Sequence, residues 1–241
     1  MKTITFPVGY RPGYLIEFLD DLKKHDLSDY TIVCSAEDCL PCLEILDKCI
    51  LSLTILRNES SEGRSSIKGV RVNPYNALNY VFNVLGSDFN VHLEDDLVLA
   101  PDVFCLSDWY YNTYKDTPLT YMSYGLFNHA SNGDNLDGLE VISMFEGLGW
   151  CTFKEGWNDC FSKYWFDDTY GWKHFNSYGW DWAIHGAYTE FGYKGIRPLT
   201  ARTNHNGRIG GTHALPAFHD ATFKNLKWNE TQRIKEFKLV K

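Results

Sequence analysis

The sequence predicts an α/β domain built on a central, mostly parallel β-sheet, with all 241 residues in one domain. Two observations predict it. Through the first hundred residues strand-type runs alternate with amphipathic helical runs, the pattern of a parallel sheet joined by right-handed crossovers. The charged residues Arg11, Asp38 and the triplet Glu94-Asp95-Asp96 each follow a predicted strand. That places them together on the rim where parallel sheets take ligands of nucleotide type.

Thr3 to Val8 reads as the first strand, and Gly9-Tyr10-Arg11-Pro12-Gly13 as a turn. From Tyr14 to His25 the residues Leu15, Phe18, Leu19 and Leu22 recur at helical spacing. Tyr30 to Cys34 is the second strand; a helix with Leu43, Leu46 and Ile50 on one face follows, and Leu51 to Leu56 is the third strand. Asn58 to Lys68 is polar and reads as a loop. Asn73-Pro74 then predicts a helix start, a capping Asn with Pro at the first position, and the helix runs from Tyr75 to Leu85. The stretch that matters most is Phe89 to Phe104: strand-type Phe89, Val91 and Leu93 run into three carboxylates, and a second apolar run stops at Pro101.

Beyond it, Leu119 to Leu126 and Leu139 to Phe145 read as strands around a polar loop. Gly147-Leu148-Gly149-Trp150 is a tight turn before a helix from Lys154; Gly179 to Phe191 is a helix stopped by Gly192; Tyr193 to Leu199 is a short strand. Arg202 to His213 is a Gly-rich polar loop. No repeat or linker divides the chain, so residues 1–104 read as a nucleotide-facing half and 105–241 as an acceptor-facing half.

Composition narrows the function. Net charge is −8, with no cluster of Lys or Arg beyond a pair, which argues against a nucleic-acid partner. Apolar residues at 44% and charged residues at 22% are ordinary for a globular protein, but aromatics reach 16% and all eight Trp follow residue 100. Aromatic loops suit sugar faces as well as cores. Neither a long apolar run nor a signal-peptide core is present, so the expectation is a soluble, cytoplasmic chain. The odd count of seven Cys fits reduced thiols, and the CxxC pair Cys39 and Cys42 reads as helix packing rather than metal binding. Asn58-Glu-Ser60 and Asn229-Glu-Thr231 read as chance matches to a glycosylation sequon.

Three adjacent carboxylates at the end of a buried strand repel one another and need compensation, unless they form an exposed acidic turn. A hard cation, Mn²⁺ or Mg²⁺, provides it by binding one or two carboxylates together with phosphate oxygens.

Six segments in order resemble eukaryotic N-acetylglucosaminyltransferase I and its relatives, inverting metal-dependent glycosyltransferases of the GT-A fold. They are Val33 to Cys39, Tyr75 to Phe82, Leu93 to Phe104 (LEDDLVLAPDVF), Gly147 to Trp150 (GLGW), Trp180 to Trp182 (WDW) and Arg202 to Gly211 (RTNHNGRIGG), and the third and fourth are the specific ones. That family carries an N-terminal membrane anchor, which this reading does not expect here. The resemblance implies a nucleotide-sugar donor, most simply a UDP-sugar, and a glycan or other hydroxyl acceptor. It makes Asp96 the metal ligand, with Asp95 and Glu94 on the ribose and donor sugar and Arg11 and Asp38 on the nucleotide. Asn73 stands where the family has a histidine near the nucleotide. Gly149, Trp150, Trp180 and Trp182 fall to the donor and acceptor pocket. The 207–213 loop would order over the donor, with Arg208, Gly211 and Thr212 near the phosphates and His213 a further metal ligand. Inversion needs a base for the acceptor hydroxyl, and Asp181, in the first turn of a helix, is the choice ahead of Asp167 and Asp168. Sugar-1-phosphate nucleotidyl transfer and non-catalytic carbohydrate binding are the alternatives; GYRPGY is a poor version of the first one's loop, and the second has no need of the carboxylates.

Overall fold

The computed structural model describes residues 1–58, 67–209 and 216–240. The predicted alternation is present: β1 (Lys2–Val8), α1 (Pro12–Leu22), β2 (Tyr30–Glu37), α2 (Leu40–Asp47), β3 (Leu53–Asn58), α3 (Ile67–Asn79) continued by a π-helical turn Tyr80–Val84, and β4 (Phe89–His92). β5 (Leu97–Leu99) and α4 (Val103–Tyr114) follow the carboxylates. The second half comprises β6 (Ser123–Gly125), β7 (Gly138–Ile142), β8 (Trp150–Phe153), α5 (Lys154–Gly156) running through a π turn Trp157–Phe161 into α6 (Ser162–Tyr164), α7 (Asp168–Phe175), α8 (Trp180–Phe191), β9 (Gly195–Pro198), β10 (Thr203–His205), α9 (Pro216–Thr222) and β11 (Lys238–Leu239).

Nine strands form one sheet in the order β11-β7-β9-β6-β8-β4-β1-β2-β3. β3, β2, β1 and β4 run parallel; β8 enters antiparallel to both β4 and β6, which turns the direction of the sheet at its middle. β5 and β10 form a separate antiparallel pair. Alternation along β1 sends Ile4, Phe6 and Val8 into a core shared with α1, α2 and α4. The opposite face is covered by α3 and the α5–α8 helices around Trp157, Trp165 and Trp180. On that face β1 and β4 bury a polar ladder. Thr3 Oγ1 donates to Asn90 Oδ1 at 2.8 Å, Asn90 donates to Thr5 Oγ1 at 2.8 Å, and Thr5 Oγ1 meets His92 Nδ1 at 2.9 Å.

Two sequence expectations need correction, and one element has no counterpart in the sequence reading. The helix predicted to start at Asn73-Pro74 begins at Ile67 and runs through Pro74, because the Asn73 side chain, instead of capping, donates to Val8 O at 3.1 Å and accepts from Asn58 at 2.8 Å. α2 ends at Asp47, which leaves Ile50 84% exposed rather than on its buried face. The aromatic run around Trp109 to Tyr114, not assigned to any element above, is the helix α4. Among the described residues no helix is long and apolar enough to cross a membrane.

Candidate functional site

The carboxylates are buried rather than on an open acidic turn. β4 ends at His92 under the sheet, and the chain turns through Glu94 to Asp96 before pairing again as β5; Asp95 and Asp96 are 2% and 3% exposed. The β5–β10 ladder brings in a residue to which the sequence reading assigns no role. His205 faces Leu97 in that ladder, and the backbone N–H of Asn206 donates to Asp96 O at 2.8 Å. His205 Nε2 then lies 3.2 Å from Asp96 Oδ2. Ligand atoms of Glu94, Asp96 and His205 all fall within 4.8 Å of one another. His213, the expected histidine, lies outside the described residues, as do Gly211 and Thr212.

Arg11 closes the other side. As the N-cap residue of α1 it projects across the rim, pairing with Asp95 Oδ1 at 2.6 Å and with Asp96 Oδ2, while Gly9 N–H donates to Asp95 Oδ2 at 3.2 Å. Burial lowers the Arg11 pKa, but Asp95, Asp96 and Glu94 outweigh it and hold the guanidinium well above its ordinary range. Burial, then Asp96, push Glu94 up to about 8, and Asp181 contributes to that rise. Asp95 is pushed up to about 6 by burial, which Arg11 opposes. For Asp96, burial is outweighed by the hydrogen bond from His205 and by Arg11, so its carboxyl stays below the usual range. A cluster in which one carboxylate is kept ionised and its neighbours are strained upward is built for added positive charge.

The donor atoms fit a metal. Asp96 Oδ1 and His205 Nδ1 are buried with no hydrogen-bond partner among the described residues. Each buried acceptor left without a partner costs roughly 1–3 kcal/mol, a cost that a cation ligated here would offset. Two carboxylates and an imidazole suit Mn²⁺, and Mg²⁺ less well because it prefers all-oxygen shells. Gly207 lies over this cluster: a Cβ there would come within 2.7 Å of His205 Cε1 and 2.9 Å of Asp96 Cγ.

The position of β10 is fixed by a buried clamp. Arg202 and Asp102 are both 0% exposed. Arg202 Nε donates to Asp102 at 2.8 Å, and its other nitrogens donate to Thr200 O and Leu136 O. Asn229 donates to the second Asp102 oxygen at 2.8 Å, which gives this buried sequon residue a structural role. The loop after β10 is latched to α1 by Asn206 on Glu17 and by Ile209 N–H on Tyr14 Oη at 3.0 Å. A cavity of about 310 Å³ lies beside this latch, bounded by Tyr14, Glu17, Asp21, Asp96, Leu97 and Asn206.

The remaining expected residues divide. Asp38 is exposed at the end of β2, on the same rim as Arg11. Arg208 is half exposed and held by Asp220 at 2.8 and 2.9 Å. Asp181 is exposed in the first turn of α8, and its carboxylate turns back over Gly179, whose φ of +132° and crowding (2.6 Å from a Cβ to Asp181 Oδ1) require glycine. Asp167 caps α7 through Thr169 N–H at 3.0 Å, and Asp168 is tied to Arg71 and to Gly179 N–H, so both competitors are engaged. Asn73 is 4% exposed, with its amide used within the fold. Trp150 and Trp180 are core residues, not pocket walls: Trp150 is fully buried and stacks on Phe161 at 4.5 Å, and Trp180 stacks on Trp165 at 4.4 Å. Gly149, at φ +85°, turns the chain into β8 beneath Thr203. Trp182, 38% exposed, keeps a face toward solvent.

No protein-family model matches the chain, and no curated protein matches it either. Its fold, however, resembles solved structures. Residues 1–349 of S. aureus TarS, a glycosyltransferase, align with a TM-score of 0.54 over 91% of this chain and 68% of that one, at 11% identity. The fold is GT-A. The same protein in complex with UDP aligns at 0.51, 13% identity, over 84% of this chain and 59% of that one. Mannosyltransferase PcManGT from Pyrobaculum calidifontis, in complex with GDP-Man and Mn²⁺, aligns at 0.47 with 14% identity over 82% of this chain, too loosely to carry an argument. The chain spans 54% of the mannosyltransferase and 68% of the TarS fragment. At these identities the likeness is one of fold.

Proposed function

We propose that this chain is a metal-dependent glycosyltransferase that moves a sugar from a nucleotide-diphosphate donor, UDP in the simplest case, to an acceptor hydroxyl with inversion, as in the N-acetylglucosaminyltransferase I group it resembles. One observation carries the reading: Glu94, Asp96 and His205 converge at the carboxyl end of a central strand of a GT-A fold, with buried acceptor atoms left over. Asp96, His205 and Glu94 would hold Mn²⁺. When bound, the ion offsets negative charge on the diphosphate leaving group.

The chain's own residues supply the rest. Arg11, paired with Asp95 and Asp96 beside the cluster, would meet the diphosphate, and Asp38, on the same rim, the nucleotide base. Arg208 sits on the loop latched over α1, where exchange of Asp220 for phosphate keeps its charge paired. Asp181, at the N-terminal end of α8 and close enough to raise the pKa of Glu94, takes the acceptor proton. The exposed face of Trp182 beside it suits a sugar ring.

The test is a panel of nucleotide sugars with Mn²⁺, scored for nucleoside-diphosphate release, together with calorimetric UDP titrations of wild type and Asp96→Ala. Turnover of one donor, with metal-dependent UDP binding lost in Asp96→Ala, is the expected result. Equal metal-dependent UDP binding in both proteins would remove the metal assignment, and no release from any donor would remove the activity.

A further inference from the structure

The Cys39-Leu-Pro-Cys42 segment packs α2 onto the sheet, as its sequence predicts, but its sulfurs are arranged for more than packing. Cys39 is the N-cap residue of α2 and Cys42 lies one turn further on. Their sulfurs are 3.3 Å apart, with Cys39 Sγ donating to Cys42 Sγ. Cys39 is 7% exposed and Cys42 fully buried, so Cys39 is the more accessible of the two. All seven cysteines are free thiols. The setting is a strand, a CxxC and a helix carrying proline in its first turn, inside a βαβ unit; dithiols that cycle with a disulfide use this arrangement.

We propose that Cys39 and Cys42 are a redox-active dithiol that closes to a disulfide by exchange with a small-molecule disulfide. The Cys39 thiolate attacks one sulfur of the small disulfide, forming a mixed disulfide and releasing one thiolate, which takes up the Cys39 proton. The Cys42 thiolate then attacks Cys39 Sγ and expels the second thiolate, which takes up the Cys42 proton. Two protein thiols are oxidised and one small disulfide is reduced to two thiols. Sulfur–sulfur bonding at ~2 Å asks roughly one ångström of approach from the observed separation. The dithiol does not depend on the donor reading above.

The experiment equilibrates the full chain across reduced and oxidised glutathione, then counts and locates thiols by differential alkylation and mass spectrometry. One Cys39–Cys42 disulfide with the other five thiols free is expected. Cys42→Ser should stop at a glutathione adduct on Cys39, and Cys39→Ser should leave Cys42 a free thiol. Free Cys39 and Cys42 at full oxidation, or a first adduct on Cys42, would overturn the dithiol.

Discussion

A methyl group at Gly207 tests the metal cluster without removing any of its donors. Gly207 has no positive φ, so alanine meets no backbone penalty there, and the effect comes from space alone. The added carbon would lie 2.7 Å from His205 Cε1 and 2.9 Å from Asp96 Cγ. Ordinary carbon contacts begin near 3.5 Å, so the loop, the imidazole or the carboxylate must give by about 0.8 Å. Overpacking of this kind costs ~1–3 kcal/mol. Asp96, His205 or the loop just beyond His205 moves to make room, so the cost falls on the cluster, a loss of about 5- to 150-fold in Mn²⁺ affinity. Calorimetric Mn²⁺ titration reads it, with urea denaturation to show that the fold persists. Gly13→Ala, where nothing lies within 4 Å of the new carbon, is the silent control. Wild-type Mn²⁺ affinity in Gly207→Ala would refute the placement of the ion between Asp96 and His205.

Three further outcomes are expected. Asp181→Asn should leave UDP binding intact and cut turnover by about 10²–10⁴-fold, the range for loss of a general base; wild-type turnover would transfer the role elsewhere. Asp102→Ala strands a buried guanidinium and should cost ~3–5 kcal/mol, while the apolar pair Asp102→Leu with Arg202→Met should cost less; thermal denaturation separates additive from coupled behaviour. Burial lowers the His92 pKa to about 3, below its unfolded value, so the neutral ring's stabilisation is complete above the unfolded pKa of ~6.5 and declines as pH falls toward the folded value. That adds up to ~1.4 kcal/mol per pH unit to the slope of stability, and His92→Asn should flatten the urea midpoint against pH by that amount.

The parallel half of the sheet was legible because its strands and helices are local and strongly periodic, and Arg11 and the carboxylates announce themselves at strand ends. His205 was not. It is one polar residue in a polar loop, and only the antiparallel pairing of β10 with β5 places it against Asp96, a contact across more than a hundred residues of sequence. Trp150 and Trp180 misled for a related reason: glycine and aromatic patterns near a site look the same whether the ring faces a sugar or a second ring, and stacking partners such as Phe161 and Trp165 come from other segments. The helix across Pro74 was hidden because a side-chain anchor, invisible in sequence, replaces the cap.

β8 has a consequence for how the molecule assembles. It is the strand that hydrogen-bonds on one side to β4, of the first half, and on the other to β6, of the second. All four of its residues are buried. β1, β2 and β3 pair through single-helix crossovers, and β4 returns to lie beside β1 across most of the first half, whereas β6 reaches that block only through β8. In the nine-stranded sheet, one four-residue strand therefore carries the hydrogen bonding between the two halves. Without it β4 would keep an open edge, and the second half would be held to the first by side-chain packing and by the β5–β10 pair. The amides of β6 should therefore lose protection from hydrogen exchange together with those of β8.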